Sequence, residues 1–281
     1  MEQFVRHTLE RAGEVGNRRA LSLCYHALGA VRYQRGEFHD SVAALRRSIE
    51  LAVSFGGTFG EVLGEQRLAL AETALGRYQP AYERLRRALA VARASENVMV
   101  QWHSVGRILT TLARNRYEAG DLTAGADYLA QGFANQQEIG ECPGCDVLLY
   151  PVAVPIYLAL GQRDDAERAC RLAEATALHF RSQAWKAAAR HARGLVAGTC
   201  GLWPAAAGQL LAARDLFQTL GQPYDLARSL EALAGVARRA GPALPNLDAA
   251  DLLQQARTIY AQLDAAGDLG RLTAAEREPV A

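Results

Sequence analysis

The sequence predicts an all-α, right-handed superhelical solenoid of about six long helix-turn-helix hairpins, and three observations lead there. Six glycines, Gly36, Gly76, Gly120, Gly161, Gly201 and Gly241, recur in steps of 40, 44, 41, 40 and 40 residues. A fixed period in this range marks stacked supersecondary units that bury a core only against their neighbours. Most of these glycines are followed two positions later by a large side chain: Phe38, Tyr78, Leu122, Trp203. Apolar residues at helical spacing flank each glycine on both sides.

Taken in order, residues 1–17 come first, and Phe4 to Gly16 reads as the second helix of an incomplete hairpin. In hairpin 18–56, Leu21, Cys24, Tyr25, Leu28 and Val31 form the first stripe, and Val42, Leu45, Ile49 and Val53 form the second. Between them Gly36 is expected to supply the left-handed residue that ends the first helix, with Phe38 tucking back against it. A second glycine series, Gly16, Gly56, Gly140, Gly221 and Gly267, marks the ends of second helices. The remaining hairpins are then 58–95, 97–140, 142–180, 182–220 and 222–267. The last carries an inserted Pro-Ala-Leu-Pro loop at 242–245, and its helix restarts near Asp248, a good capping residue. Residues 268–281 form a polar tail. An array that begins in mid-hairpin exposes an apolar face, which a dimer partner or the preceding part of a longer protein is expected to cover.

Composition narrows the function. Half of the 281 residues are hydrophobic, ample for a core, and the net charge is +1. No overall basic field exists, so direct nucleic-acid binding by this chain is not expected. No apolar stretch reaches the roughly 18 residues that span a bilayer, and the acid-bearing N-terminus is no signal peptide, so neither a membrane nor secretion is expected. Five dispersed cysteines read as reduced thiols in a cytoplasmic protein.

The first hairpin resembles the tetratricopeptide repeat. Tyr25-x-x-Leu28-Gly29, then Gly36-x-Phe38, then Ser41, Leu45 and Ser48 fall on that repeat's large and small positions. Small residues at Gly29, Ser41 and Ser48 let the paired helices approach closely. The resemblance covers nearly the whole chain but weakens later: Arg190 and Arg193 stand where large apolar residues are expected in the fifth unit. The period exceeds the roughly 34 residues of the standard repeat, so the helices are longer by about a turn.

The C-terminus, Leu272-Thr-Ala-Ala-Glu-Arg-Glu-Pro-Val-Ala281, resembles the opening of a LuxR-type helix-turn-helix domain. Thr273 would be its N-cap and Glu276 the reciprocal partner of a capping box. Ala275 and Pro279 depart from that pattern. Long-period tetratricopeptide arrays ahead of such a domain are characteristic of maltose-activator-like LuxR-type transcription regulators of bacteria. That resemblance implies a signal-sensing, oligomerising module. The ATPase of that family has no counterpart here, because no Gly-x-x-x-x-Gly-Lys sequence occurs.

The resemblance also places a ligand groove on the first helices of the hairpins. The corresponding positions are His26, Tyr33, Gln66, Arg107, Thr110, Arg114, Tyr117, His191, Arg228, Glu231 and Arg238. Arg107 and Arg114 are seven apart and share a helix face, with Tyr117 close to Arg114. Arginine forks beside tyrosines suit carboxylates, phosphates or a peptide backbone; the alternative is an ordinary solvated face or inter-repeat salt bridges. A peptide, a protein or a small effector is the expected partner, together with a homo-oligomer.

Cys142-Pro-Gly-Cys145 is the sharpest local motif, readable as a tight turn, a redox pair or half of a metal site. No second Cys/His pair follows at zinc spacing. None of the six histidines belongs to a metalloprotease pattern, and no nucleophile elbow occurs. The chain therefore reads as a non-enzyme without cofactor. Its function is either the sensor of a transcription regulator or a free-standing protein-interaction adaptor, with a thiol or metal sensor as the third reading.

Overall fold

The computed structural model describes residues 2–140 and 142–277, all of whose regular secondary structure is helical. The chain forms two compact units that divide between residues 141 and 142.

The first unit begins with α1 (Glu2–Glu14), followed by three hairpins: α2 (Arg18–Gln34) with α3 (Phe38–Ser54), α4 (Thr58–Ala74) with α5 (Tyr78–Ala94), and α6 (Val98–Glu118) with α7 (Leu122–Ile139). Asn17, Asn97 and Asp121 cap α2, α6 and α7 by accepting from backbone N–H groups of the first turn. The turn at Gly36 shows what the period encodes. Its φ is +77°, and the Glu37 N–H donates back to the Arg32 carbonyl at 2.9 Å. That six-to-one bond closes the helix end, and glycine adopts the required left-handed backbone at the least steric cost. Phe38 is buried and stands 5.5 Å from the Tyr33 ring. Gly76, Gly120, Gly161 and Gly201 repeat the same positive φ and the same back-donation.

Close approach within a hairpin follows from the small residues. A Cβ added at Gly29 would lie 2.5 Å from Leu45 Cγ, and the Ser41 hydroxyl donates to the Gly29 carbonyl at 2.8 Å. Ser22 and Ser48 each donate to the other's carbonyl, at 2.9 and 2.8 Å. First helices then stack on first helices, α2 on α4 and α4 on α6. Leu85, Ile108, Leu109 and Leu112 are fully buried together in one core cluster of this unit.

The second unit holds α8 (Pro143–Asp146), α9 (Leu149–Ala159), α10 (Arg163–Phe180), α11 (Gln183–Thr199), α12 (Trp203–Leu220), α13 (Pro223–Ala240), α14 (Ala249–Gln262) and α15 (Ala266–Arg277). Asp248 caps α14, accepting from Ala250 and Asp251. The first arm expected over the start of hairpin 142–180 is broken into α8 and α9, because Pro143 starts one short turn and the chain re-enters helix only at Leu149. Arg193 does not disturb the fifth hairpin. Its guanidinium donates to Glu167 at 2.7 Å and to Glu174 at 2.8 Å, both on the preceding α10. An ion-pair clamp fills a slot where the repeat pattern asks for an apolar side chain.

Two expectations near the C-terminus need correction. The residue that ends α14 is Asp264, with φ +53°, while Gly267 lies inside α15. Thr273 is no N-cap: it sits within α15 and its hydroxyl donates to the Leu269 carbonyl at 2.9 Å. A helix that starts at Ala266 has no orphan N–H groups at Thr273 to cap. Pro279 lies outside the described residues. Among those residues no helix is long and apolar enough to cross a membrane.

Candidate functional site

In the first unit the faces of α2, α4 and α6 bring together His26, Tyr33, Arg67, Arg107 and Arg114. Arg114 donates to the Tyr33 hydroxyl at 3.3 Å and to Glu118 at 2.7 Å. Because α4 lies between α2 and α6, that hydrogen bond spans α4 and puts side chains of the first helices on one shared face.

His26 and Arg67 are half-buried. Burial, followed by the nearby charges of Arg67 and Arg107, pushes the His26 ring down to about 4, so it is neutral near pH 7. Arg67 is lowered by burial and by Arg107, against an opposing effect of the Tyr33 phenol. No carboxylate stands against Arg67 among the described residues. The result is a cationic face with a neutral imidazole beside it.

Two of the expected groove residues lie below this surface. Gln66 is buried and donates to Thr111 at 2.7 Å, fixing α4 against α6. Thr110 is buried with its hydroxyl on the Gly106 carbonyl at 2.8 Å. Neither can touch a ligand on the face, and both set helix register instead. Tyr117 is half-buried on the same helix as Arg114. Arg67, which the sequence reading did not single out, takes the place expected of Gln66. Strict transfer of His26 by the 40-residue step lands on residue 66, and one further residue turns the helix by about 100°.

In the second unit α11 and α13 bring His191, Arg228 and Glu231 together, while Arg238 is exposed near the end of α13. His191 Nδ1 lies 3.0 Å from the Ser229 hydroxyl, which itself donates to the Asp225 carbonyl at 2.9 Å. The hydroxyl proton being engaged, Nδ1–H must be the donor to Ser229, which assigns the neutral tautomer. Burial, then Arg228, holds this ring at about 3, with Glu231 opposing.

Glu231 is held by its own chain. It accepts from Tyr260 at 3.0 Å and from Arg271 of α15 at 2.9 Å, while Arg271 also donates to Asp268 at 2.9 Å. Burial alone would raise the Glu231 carboxyl, but the Arg271 guanidinium brings it below its ordinary value. In turn Tyr224 donates to Asp268 at 2.9 Å. This network docks α15 onto α13 and α14, so Glu231 serves packing.

Cys142 and Cys145 lie side by side as thiols, the Cys142 Sγ donating to the Cys145 Sγ at 3.4 Å, with the Cys142 N–H on Asp146 Oδ2 at 2.9 Å. Cys145 is buried and Cys142 half-buried. A separate open hollow of about 490 Å³ lies among α10, α11 and α12, and none of the expected groove residues lines it.

Helical hairpins of this geometry, stacked first arm on first arm, define a tetratricopeptide-like repeat fold. No protein-family model and no curated protein matches the chain. Among solved structures it is similar to a Rap protein complexed with competence and sporulation factor, at 16% identity over 96% of this chain and 71% of that one, with a TM-score of 0.71. It is similar to a signal-transduction ATPase with numerous domains bearing a tetratricopeptide repeat sensor, from Pyrococcus horikoshii, at 14% identity over 92% of this chain and 43% of that one, TM-score 0.52. A third is BtubC from P. vanneervenii, at 19% identity over 90% and 94% of the two chains, TM-score 0.51.

Proposed function

We propose that this chain is a non-catalytic binding module that takes a peptide or protein segment on the shared face of α2, α4 and α6. The observation that carries this reading is the Arg114–Tyr33 hydrogen bond across α4, with Arg67 of α4 close enough to feel both Arg107 and Tyr33. Rigid helices present those donors to a common point, as a binding site built on regular elements should. The finer reading is the signal-sensing and oligomerising part of a LuxR-type transcription regulator. Its support is the C-terminal sequence resemblance, weakened by the placement of Thr273 inside α15. The likeness in fold to a protein carrying a tetratricopeptide repeat sensor is consistent with it. The same face would equally serve a free-standing adaptor.

The test is native mass spectrometry of the freshly purified chain, followed by calorimetry of whatever ligand copurifies. Arg107→Glu with Arg114→Glu should lower affinity about a hundredfold, since two charge-assisted contacts are reversed. Helicity by circular dichroism should not change. Unaltered affinity would remove the face from consideration.

A thiol-sensor reading is favoured by one distance, the 3.4 Å between Cys142 and Cys145. Two thiols give up two protons and two electrons to a peroxide, yielding the disulfide and two hydroxylic products, water if the oxidant is hydrogen peroxide. Cys142→Ser should abolish a peroxide-induced loss of two titratable thiols; retention of that loss would end this reading.

A further inference from the structure

We infer that the hollow among α10, α11 and α12 is a second ligand site, one that takes a small organic phosphate monoester. It lies wholly within the second unit, and it stands or falls independently of the face on α2, α4 and α6.

The hollow measures about 490 Å³, within the range of pockets that hold small molecules. Three cations line it: Arg181 from the end of α10, and Lys186 and Arg190 from α11. The acid on its wall is already claimed, because Arg193 donates to both oxygens of Glu174 at 2.8 Å. Arg190 donates to Gln209 Oε1 at 3.3 Å, which leaves the Gln209 N–H groups to donate elsewhere. Arg181 and Lys186 have no hydrogen bond or ion pair from their side chains among the described residues. Ala177, Leu178 and Ala189 supply apolar wall, and Leu178 is 79% exposed.

Backbone strain singles out Arg181. It ends α10 in the left-handed region, at φ +50° and ψ +32°. Gly221 takes nearly the same conformation at the end of α12, at φ +64° and ψ +42°. The two positions are 40 residues apart, one period of the array. Glycine holds that backbone without a Cβ penalty, whereas arginine is strained there. Asp264, the other non-glycine residue with positive φ among those described, is of a type that tolerates it. Strained residues of this kind cluster at ligand sites. Arg181 lines the hollow with a guanidinium the chain does not use.

Charge and shape select the ligand. A carboxylate would offset one cation and leave another bare. A phosphate monoester carries about −1.5 to −2 charge near pH 7 and three acceptor oxygens, enough for Arg181 and Lys186 together. The arginine fork meets two phosphate oxygens at once, and lysine adds a point charge. The apolar wall calls for a hydrophobic body on that head, which free phosphate lacks.

Lys186 is the only lysine of the chain, so isotope-labelled lysine gives the whole protein one backbone amide reporter on α11. Phenyl phosphate should move that NMR signal saturably. It should bind about tenfold more tightly than either inorganic phosphate or benzoate. Inorganic phosphate binding as tightly would take the apolar wall out of the site, and benzoate binding as tightly would take away the phosphate class. Either result, or no response to any of the three probes, would overturn the proposal. Arg181→Asn supplies the second arm, since asparagine tolerates the left-handed backbone better than arginine. It should lower phenyl phosphate affinity about tenfold while the thermal midpoint holds or rises. Undiminished affinity, or a lowered midpoint, would show that Arg181 serves the turn and would sink the site.

Discussion

Tyr33 and Arg114 are 81 residues apart in sequence, on helices two hairpins apart, and their side chains meet at 3.3 Å. That bond exists because α2, α4 and α6 stack side by side, so long side chains from the outer two reach across α4. It joins polar side chains of the first and third hairpins on one face. Tyr33→Phe should lower stability by about 0.5–1.5 kcal/mol in denaturant unfolding, the net value of one hydrogen bond. Arg114→Glu should cost more, because it places an acid one helical turn from Glu118. Equal effects for the two substitutions would argue that the hydroxyl contact is incidental.

Acid should destabilise the fold through two histidines. Both rings are held below their ordinary value of 6.5, so the unfolded chain binds protons that the folded chain refuses. Stability from this source is therefore full above pH 6.5 and declines as pH falls, levelling near 4 for His26 and near 3 for His191. Within those windows each ring contributes a slope of roughly 1.4 kcal/mol per pH unit. Urea melts between neutral pH and pH 4 measure it. His26→Asn and His191→Asn should each flatten the profile, whatever they do to absolute stability.

Hairpin closeness has its own signature. Gly29→Ala and Gly194→Ala should each destabilise by about 1–3 kcal/mol through overpacking. The added Cβ would lie 2.5 Å from Leu45 Cγ in one case and from Leu210 Cγ in the other. Gly144→Ala meets no atom within 4 Å and is the control. A neutral result at Gly29 in thermal unfolding would mean that the paired helices separate easily.

The last helix is tied down by charge. Arg271→Ala should raise hydrogen exchange throughout α15 while leaving α11 and α12 protected. Because the Arg271 side chain is 49% exposed, the stability loss should be only about 1 kcal/mol. Uniform loss of protection across the second unit would show instead that α15 is integral to its core.

The turns were legible in the sequence because their cause is local. Gly36, Gly76, Gly120, Gly161 and Gly201 carry a backbone conformation that needs no knowledge of neighbours, whereas Gly241 departs from it with ψ −126° and opens a short 3-10 turn; Gly29, Ser41 and Ser48 announce close helix packing by size alone. The groove residues were only partly legible. Gln66 and Thr110 occupy period-correct positions yet are buried, while Arg67, one residue away, reaches the face. Side-chain exposure depends on helix rotation, and a repeat of uneven length does not transmit rotation to a single residue. Glu231 was recognisable as polar and aligned, but nothing in its own helix announces that Arg271 of α15 holds it.

From its sequence alone, the chain's helical class, its hairpin punctuation and the helices that bear polar faces were already determined, since each follows from φ preference, apolar spacing and residue size within one hairpin. Tertiary structure decided which of those polar groups are neutral, which are paired and which stand uncompensated. Coulomb energy and burial depend on distance in space, and the charges that bear on His26 come from helices 41 and 81 residues further along the chain, at Arg67 and Arg107.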